Sequence, residues 1–167
     1  MSPPDYALHA RTMAAYNRWM NEKLYACAAQ LTDAERKRDR GAFFGSIHGT
    51  FNHLLLGDRL WMGRFTAKPF VVHSLDQELY GDFTELRGER VQTDAAIEAW
   101  AGALDGATLA GDLVYVTLVN PGERRTPMWF AATHFFNHQT HHRGQLTTLL
   151  VQAGIDPGVT DLLWLPR

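Results

Sequence analysis

The chain holds 167 residues, enough for one domain with a full core and too few for two. Its 16 basic and 18 acidic residues leave a net charge of -2, without the basic surplus of a nucleic-acid binder. With 46% hydrophobic residues and five tryptophans it is not a disordered chain, yet no apolar run approaches the roughly 18 residues of a membrane-spanning helix. One cysteine, Cys27, excludes an internal disulfide. The start, Met1-Ser2-Pro3-Pro4-Asp5, lacks the basic-then-apolar pattern of a secretory leader, so a cytoplasmic protein is expected.

The first predicted helix runs from about Asp5 to Leu31, with Tyr16, Met20, Leu24, Cys27 and Leu31 on one face. Thr32-Asp33-Ala34-Glu35 is a capping-box pattern opening a short helical turn. A second helix is expected from about Phe43 to Phe65, with Ile47, Phe51, Leu54, Trp61 and Phe65 as its apolar stripe. Residues 66 to 92 show no clean period and read as a long crossover, with a turn or two of helix near Leu79 to Glu89. Thr93-Asp94 is expected to cap a third helix that carries Ile97, Trp100 and Leu104 on one face. Residues 113 to 119 are β-branched and aromatic. Asn120-Pro121-Gly122 is a turn signal and Arg124 to Thr126 a return strand, a small hairpin at most. Pro127 suits the first turn of a fourth helix, which runs to about Ala153 and stops at Gly154. Four main helices with a long middle crossover imply an all-α four-helix bundle filling residues 1 to 167, a fold that builds metal and cofactor sites from facing helices.

The strongest chemical signal is the histidine usage: eight in all, six of them in two short segments. His134, His138 and His142 stand at i, i+4 and i+8, one row on the fourth helix. Neighbours in such a row can chelate one ion, but the whole row rises about 12 Å, so two of the three are expected to ligate and a third ligand to come from elsewhere. His141 stands beside the row and makes no i,i+4 pair with His138 or His142. The second helix offers His48 and His53. His53 is followed by Leu56, Gly57 and Leu60, a small and apolar side suited to packing. His48, among Ser46, Gly49 and Asn52, fits an exposed position. His9, His48 and His73 read as ordinary solvated or hydrogen-bonded residues.

Tyr16-Asn17-Arg18-Trp19-Met20-Asn21, Asn52-His53-Leu54-Leu55 with Asp58 and Trp61, and Asn137-His138 through His142-Arg143-Gly144-Gln145 together resemble the DinB family. Asp39-Arg40-Gly41-Ala42-Phe43-Phe44 and the ending Gln152-Ala153-Gly154-Ile155-Asp156-Pro157 extend the resemblance over nearly the whole chain. It implies an up-down four-helix bundle and a divalent metal held by three histidines, one on the second helix and an i,i+4 pair on the last. By motif these are His53, His138 and His142. It also implies kinship with S-transferases and isomerases that use a low-molecular-weight thiol, and with metal-dependent hydrolases. DinB-like proteins are often dimers.

Three imidazoles with an open fourth position is the catalytic arrangement of zinc, whereas a closed structural site takes four ligands, commonly with thiolates. Zinc is the expected ion, and imidazole also accepts nickel, manganese and iron. Such an ion lowers the pKa of bound water or binds a thiol as thiolate. Asp58, Asn17, Asn21, Asn52 and Gln145 are candidates to receive the second ring nitrogen of a ligand. Asp58 is either such a group or the partner of an arginine on the first or fourth helix, and His134 either lines the pocket or sits at the core edge. No general base stands out. The expected function is metal-dependent transfer or hydrolysis on a small molecule, with a low-molecular-weight thiol as a candidate co-substrate. The alternative is a non-enzymatic metal-binding stress-response protein. No nucleic acid or membrane partner is expected. A homodimer is, because Trp129, Phe130, Phe135 and Phe136 lie on several sides of the fourth helix and Leu162 to Leu165 add apolar surface.

Overall fold

A computed structural model describes residues 6–117 and 122–166. The described residues are mostly helical, with one small antiparallel hairpin. Helix α1 (Tyr6–Ala28) buries Ala7, Ala10, Ala14, Asn17, Asn21, Leu24 and Ala28, a stripe alternating three and four. The capping box at Thr32 opens α2 (Asp33–Lys37), with the Thr32 hydroxyl accepting from the Glu35 amide at 3.2 Å.

Helix α3 (Ile47–Phe65) begins four residues later than its sequence suggested, at a Ser46 cap. The reason is a tight turn before it. Arg40 and Gly45, and Gly45 and Ala42, pair through backbone bonds of 2.8 Å, and Gly45 sits at φ 70°, a left-handed conformation glycine adopts without strain. Phe43 and Phe44 therefore stand on a turn rather than in the helix.

Helix α4 (Phe83–Ala103) corrects the expected third helix by about ten residues. Its cap is Asp82, which accepts from the Thr84 and Glu85 amides, and not Thr93-Asp94. Thr93 and Asp94 are buried in mid-helix. The Thr93 hydroxyl bonds back to the Glu89 carbonyl, a cap-like residue satisfied inside a helix. A short α5 (Gly106–Ala110) follows, then β1 (Asp112–Val116) paired antiparallel with β2 (Glu123–Pro127). Leu118 to Pro121, with most of the expected turn, lie outside the described residues. Helix α6 (Met128–Gln152) ends at Ala153, and Gly154 takes φ 83° just beyond. A 3-10 turn at Leu162–Trp164 closes the described chain. None of these helices is long and apolar enough to cross a membrane.

The helices α1 and α3 each pack against both α4 and α6. Among the described residues two large apolar clusters fill the interior, beside a smaller one of Leu56, Leu60 and Val72. One gathers Leu24, Phe51, Leu86 and Leu146, the other Ala10, Met62, Ile97 and Phe135. Every long helix supplies both clusters, so their order along each helix gives its direction. The helices α3 and α4 run one way, α1 and α6 the other. Simple alternation is therefore broken at the middle pair, and the connection over 66–82 has to return along the molecule.

Between the clusters lies a polar layer, one or two residues from each long helix. Buried Asp58 on α3 accepts from Arg90 at 2.6 Å and from Gln139 at 3.0 Å. Asp94 accepts from Asn17 and Asn21, each at 2.9 Å, and lies 2.9 Å from the Arg90 guanidinium. Arg143 on α6 donates to the Asn17 side-chain oxygen. Two carboxylates and two guanidiniums share this layer, so the buried charges balance.

Candidate metal centre

His53 projects from α3, and His138 and His142 from consecutive turns of α6, which packs on α3. Their three Nε2 atoms face one another at 3.1 Å (His138 to His142), 3.2 Å (His53 to His142) and 3.4 Å (His53 to His138). Among the described residues they form the one group of this kind that can hold a metal ion.

The rings are oriented by their outer nitrogens. The His53 Nδ1 lies 2.9 Å from the Leu75 carbonyl, and the His142 Nδ1 lies 2.8 Å from the Gln145 side-chain oxygen. Both partners are acceptors, which assigns the proton of each ring to Nδ1 and leaves a bare lone pair on each Nε2. Two lone pairs 3.2 Å apart repel unless a cation lies between them. Ligands of a tetrahedral zinc ion with bonds of about 2.0–2.1 Å stand roughly 3.3 Å apart, so the triangle also has the right size.

Protonation does not compete at neutral pH. Burial pushes the His53 imidazole down to about 4, against a smaller opposing effect of its bond to Leu75. Burial, then the neighbouring imidazoles, pushes His138 down to about 3. Burial lowers His142 too. All three are neutral, the form that binds metal.

Local sequence explains the placement. Asn52 fixes the connection over α3: its side-chain oxygen accepts from the Leu79 and Tyr80 amides at 2.8 and 3.0 Å, and its amide donates to the Tyr80 carbonyl at 3.1 Å. That anchor holds the connection whose Leu75 carbonyl meets His53. Gly57 gives His138 its space, since a Cβ there would stand 3.0 Å from the His138 Cε1. Phe44 stacks on His53, with ring centres 3.7 Å apart and planes 16° apart.

The other expected residues distribute as follows. Gln145 contacts the cluster directly. Asp58 does not; it pairs with an arginine, as one of its two readings required, but on α4 rather than on the first or fourth long helix. Asn17 and Asn21 serve the polar layer. His134 is exposed beside Trp61, 5.1 Å between ring centres, and lines a neighbouring cavity. His48 is buried, not exposed, and bonds the Tyr80 carbonyl at 2.9 Å. Sequence reasoning missed the Leu75 carbonyl, Phe44 and Asp76. A backbone acceptor leaves no trace in residue type, and Phe44 was placed within the helix.

A cavity of 680 Å³ opens beside the cluster, lined by all three histidines with Phe43, Phe44, Asp76 and His141 among its walls. A second of 350 Å³ adjoins it and shares His53, His138 and Leu75.

The DinB family model matches residues 1–167. The chain is 24% identical over 149 residues to Protein DinB of Bacillus subtilis (strain 168), covering 87% of each. The crystal structure of a DinB-like protein from Bacillus cereus ATCC 10987 superposes with a TM-score of 0.58 at 22% identity, covering 84% of this chain and 91% of that one.

Proposed function

Since the chain belongs to the DinB family, we propose that it binds one divalent metal ion through His53, His138 and His142 and promotes transfer or hydrolysis on a small molecule. The observation that carries this reading is the triangle of three neutral Nε2 atoms, two of them with lone pairs fixed inward by Leu75 and Gln145. Zinc is the first choice for three imidazoles, ahead of nickel, manganese or iron. When bound, such an ion supplies Lewis-acid chemistry, activating water or a low-molecular-weight thiol.

The protein's own part is orientation and access. Gln145 and the Leu75 carbonyl hold two rings, Gly57 admits the third, and Phe44 covers one face of His53. His141 and Asp76 add polar groups to the wall of the same cavity. The 680 Å³ cavity supports an enzyme over a purely structural site, because it brings space for a small molecule up to the three nitrogens. In the same reading the four long helices form one domain, a four-helix bundle, and two copies of the chain associate through exposed Trp129, Phe130, Leu163 and Trp164.

Elemental analysis of metal-replete protein, followed by thiol-transfer and esterase screens, tests the proposal. One ion per chain, lost in His138→Ala, is expected. Metal binding without turnover would leave a non-enzymatic metal-binding stress-response protein as the reading.

A further inference from the structure

We propose that the 350 Å³ cavity is an anchor for an oxyanion, a carboxylate or a phosphate, carried by the small molecule that reaches the histidine centre, with Arg64 and Arg124 as its binding groups. This inference rests on the reading of that centre as the working site, and gives its substrate a chemical class.

Arg64 lies on the last turn of α3. Its guanidinium carbon is 4.6 Å from the centre of the Trp61 ring and 4.7 Å from that of Tyr115. The two ring centres are 5.5 Å apart, so both rings lie to one side of the guanidinium. Its N–H donors lie in the plane, where they form the fork that matches an oxyanion. Tyr115 faces Arg124 across the hairpin, and directly opposed residues put their side chains on the same face of the ribbon. Both arginines line the one cavity, with His134 beside Trp61 on its wall.

Neither arginine has a carboxylate within ion-pair distance among the described residues, whereas Arg18, Arg38, Arg40, Arg59, Arg90 and Arg125 each do. Partial burial of Arg64 disfavours its charge, which a bound anion offsets. The walls shared with the larger cavity are His53, His138 and Leu75, so a molecule held at Arg64 and Arg124 extends past His138 toward the three Nε2 atoms. A concave site of this size on a chain of net charge -2 takes a small anion rather than a nucleic acid.

The test uses chelator-treated, metal-free protein, so that no anion binds through a metal. Succinate and inorganic phosphate are titrated calorimetrically, with uncharged succinamide as control, and the Arg64 side-chain N–H is followed by NMR. Millimolar binding of either anion, a shift of the Arg64 signal, and weakening by about tenfold or more in Arg64→Gln and Arg124→Gln are expected, each variant losing charge-assisted bonds. Thermal melts confirm that both variants fold. Succinate alone would assign a carboxylate, phosphate alone a phosphate. Absence of binding by both anions, or equal binding in wild type and both variants, would overturn the anchor. His142→Gln, which lies outside this cavity, is expected to lose metal and keep the anion. Failure of metal binding in the wild type with retained anion binding would count against the metal proposal only.

Discussion

Gly57 on α3 lies against the imidazole of His138 on α6, so that a single added methyl group would stand 3.0 Å from Cε1 and 3.6 Å from Nδ1. Alanine is the better helix former by about 1 kcal/mol, and Gly57→Ala is therefore expected to leave the fold at least as stable. It displaces the ring by a few tenths of an ångström or tilts it out of the triangle. Zinc affinity is expected to fall by about tenfold or more, a loss of roughly 1.4 kcal/mol. Metal titration beside a thermal melt separates the two effects, and an unchanged affinity would show that the His138 ring does not depend on the space at Gly57.

Gln145→Leu removes the acceptor of the His142 Nδ1 without touching the Nε2 atoms of His53, His138 or His142. Loss of such a partner typically costs about 10–100-fold in metal affinity, and that range is expected here. Competition with a chromophoric chelator measures it. A variant with wild-type affinity would mean that the ring needs no help from Gln145.

The lowered imidazoles set an acid dependence for the metal-free protein. His53 and His138 titrate at about 4 and about 3 when folded and near 6.5 when unfolded, so between these values the unfolded chain binds protons that the folded one does not. The stability they contribute is complete above about pH 6.5 and is lost as pH falls toward their folded values. Asp94 acts in the opposite sense: burial raises it to about 6, so its contribution is complete below about 4 and declines as pH rises through 6. With His142 also lowered, the imidazoles outnumber the carboxylate. Urea unfolding at pH 7 and pH 5 is expected to show a loss of stability on acidification, shallower in His138→Gln. Identical slopes in the two proteins would refute the assignment.

Arg90→Met leaves Asp58 and Asp94 facing each other in the core without their shared guanidinium. Breaking a buried pair on one side costs about 3–5 kcal/mol, and a loss of that order is expected in urea denaturation. Adding Asp58→Asn to that variant removes one of the stranded charges, and the double variant is expected to recover part of the loss. Strict additivity of the two would show that they do not interact.

The proposed dimer has a narrower basis than the sequence suggested. Phe135 and Phe136 are buried inside the chain, while Trp129 and Phe130 remain 43% and 55% exposed and Leu163 is 90% exposed. Light scattering at micromolar concentration is expected to give twice the 18.8 kDa monomer mass. A mass near the monomer would refute it.

The sequence revealed the histidines and the ends of α6 because both leave a local imprint: a spacing of four, a proline before the helix and a glycine after it. The start of α4 escaped because residues 66 to 92 show no clean period, and only a turn or two of helix is legible near Leu79 to Glu89. The partners that make Arg90 a core residue, Asp58 and Asp94, lie 32 positions before it and four after. Thr93-Asp94 imitates a cap for the same reason: a short polar side chain looks identical whether it satisfies backbone amides or, as Asp94 does, two asparagines on another helix. Asp58 had two readings in the sequence, and only the placement of Arg90 decides between them.

The polar layer fixes how the helices slide. Displacing α6 by one turn along α3 would carry Gln139 away from Asp58 and break their 3.0 Å bond, so α6 has one favoured height relative to α3. Gln139 and Arg143, the two α6 members of that layer, directly follow His138 and His142 in the chain. The height of each imidazole is therefore set by the residue after it, like a tooth beside a locking pin. Cavity-wall residues that do not touch the imidazoles can vary without moving the nitrogens, because the alignment that brings α6 opposite His53 is held elsewhere.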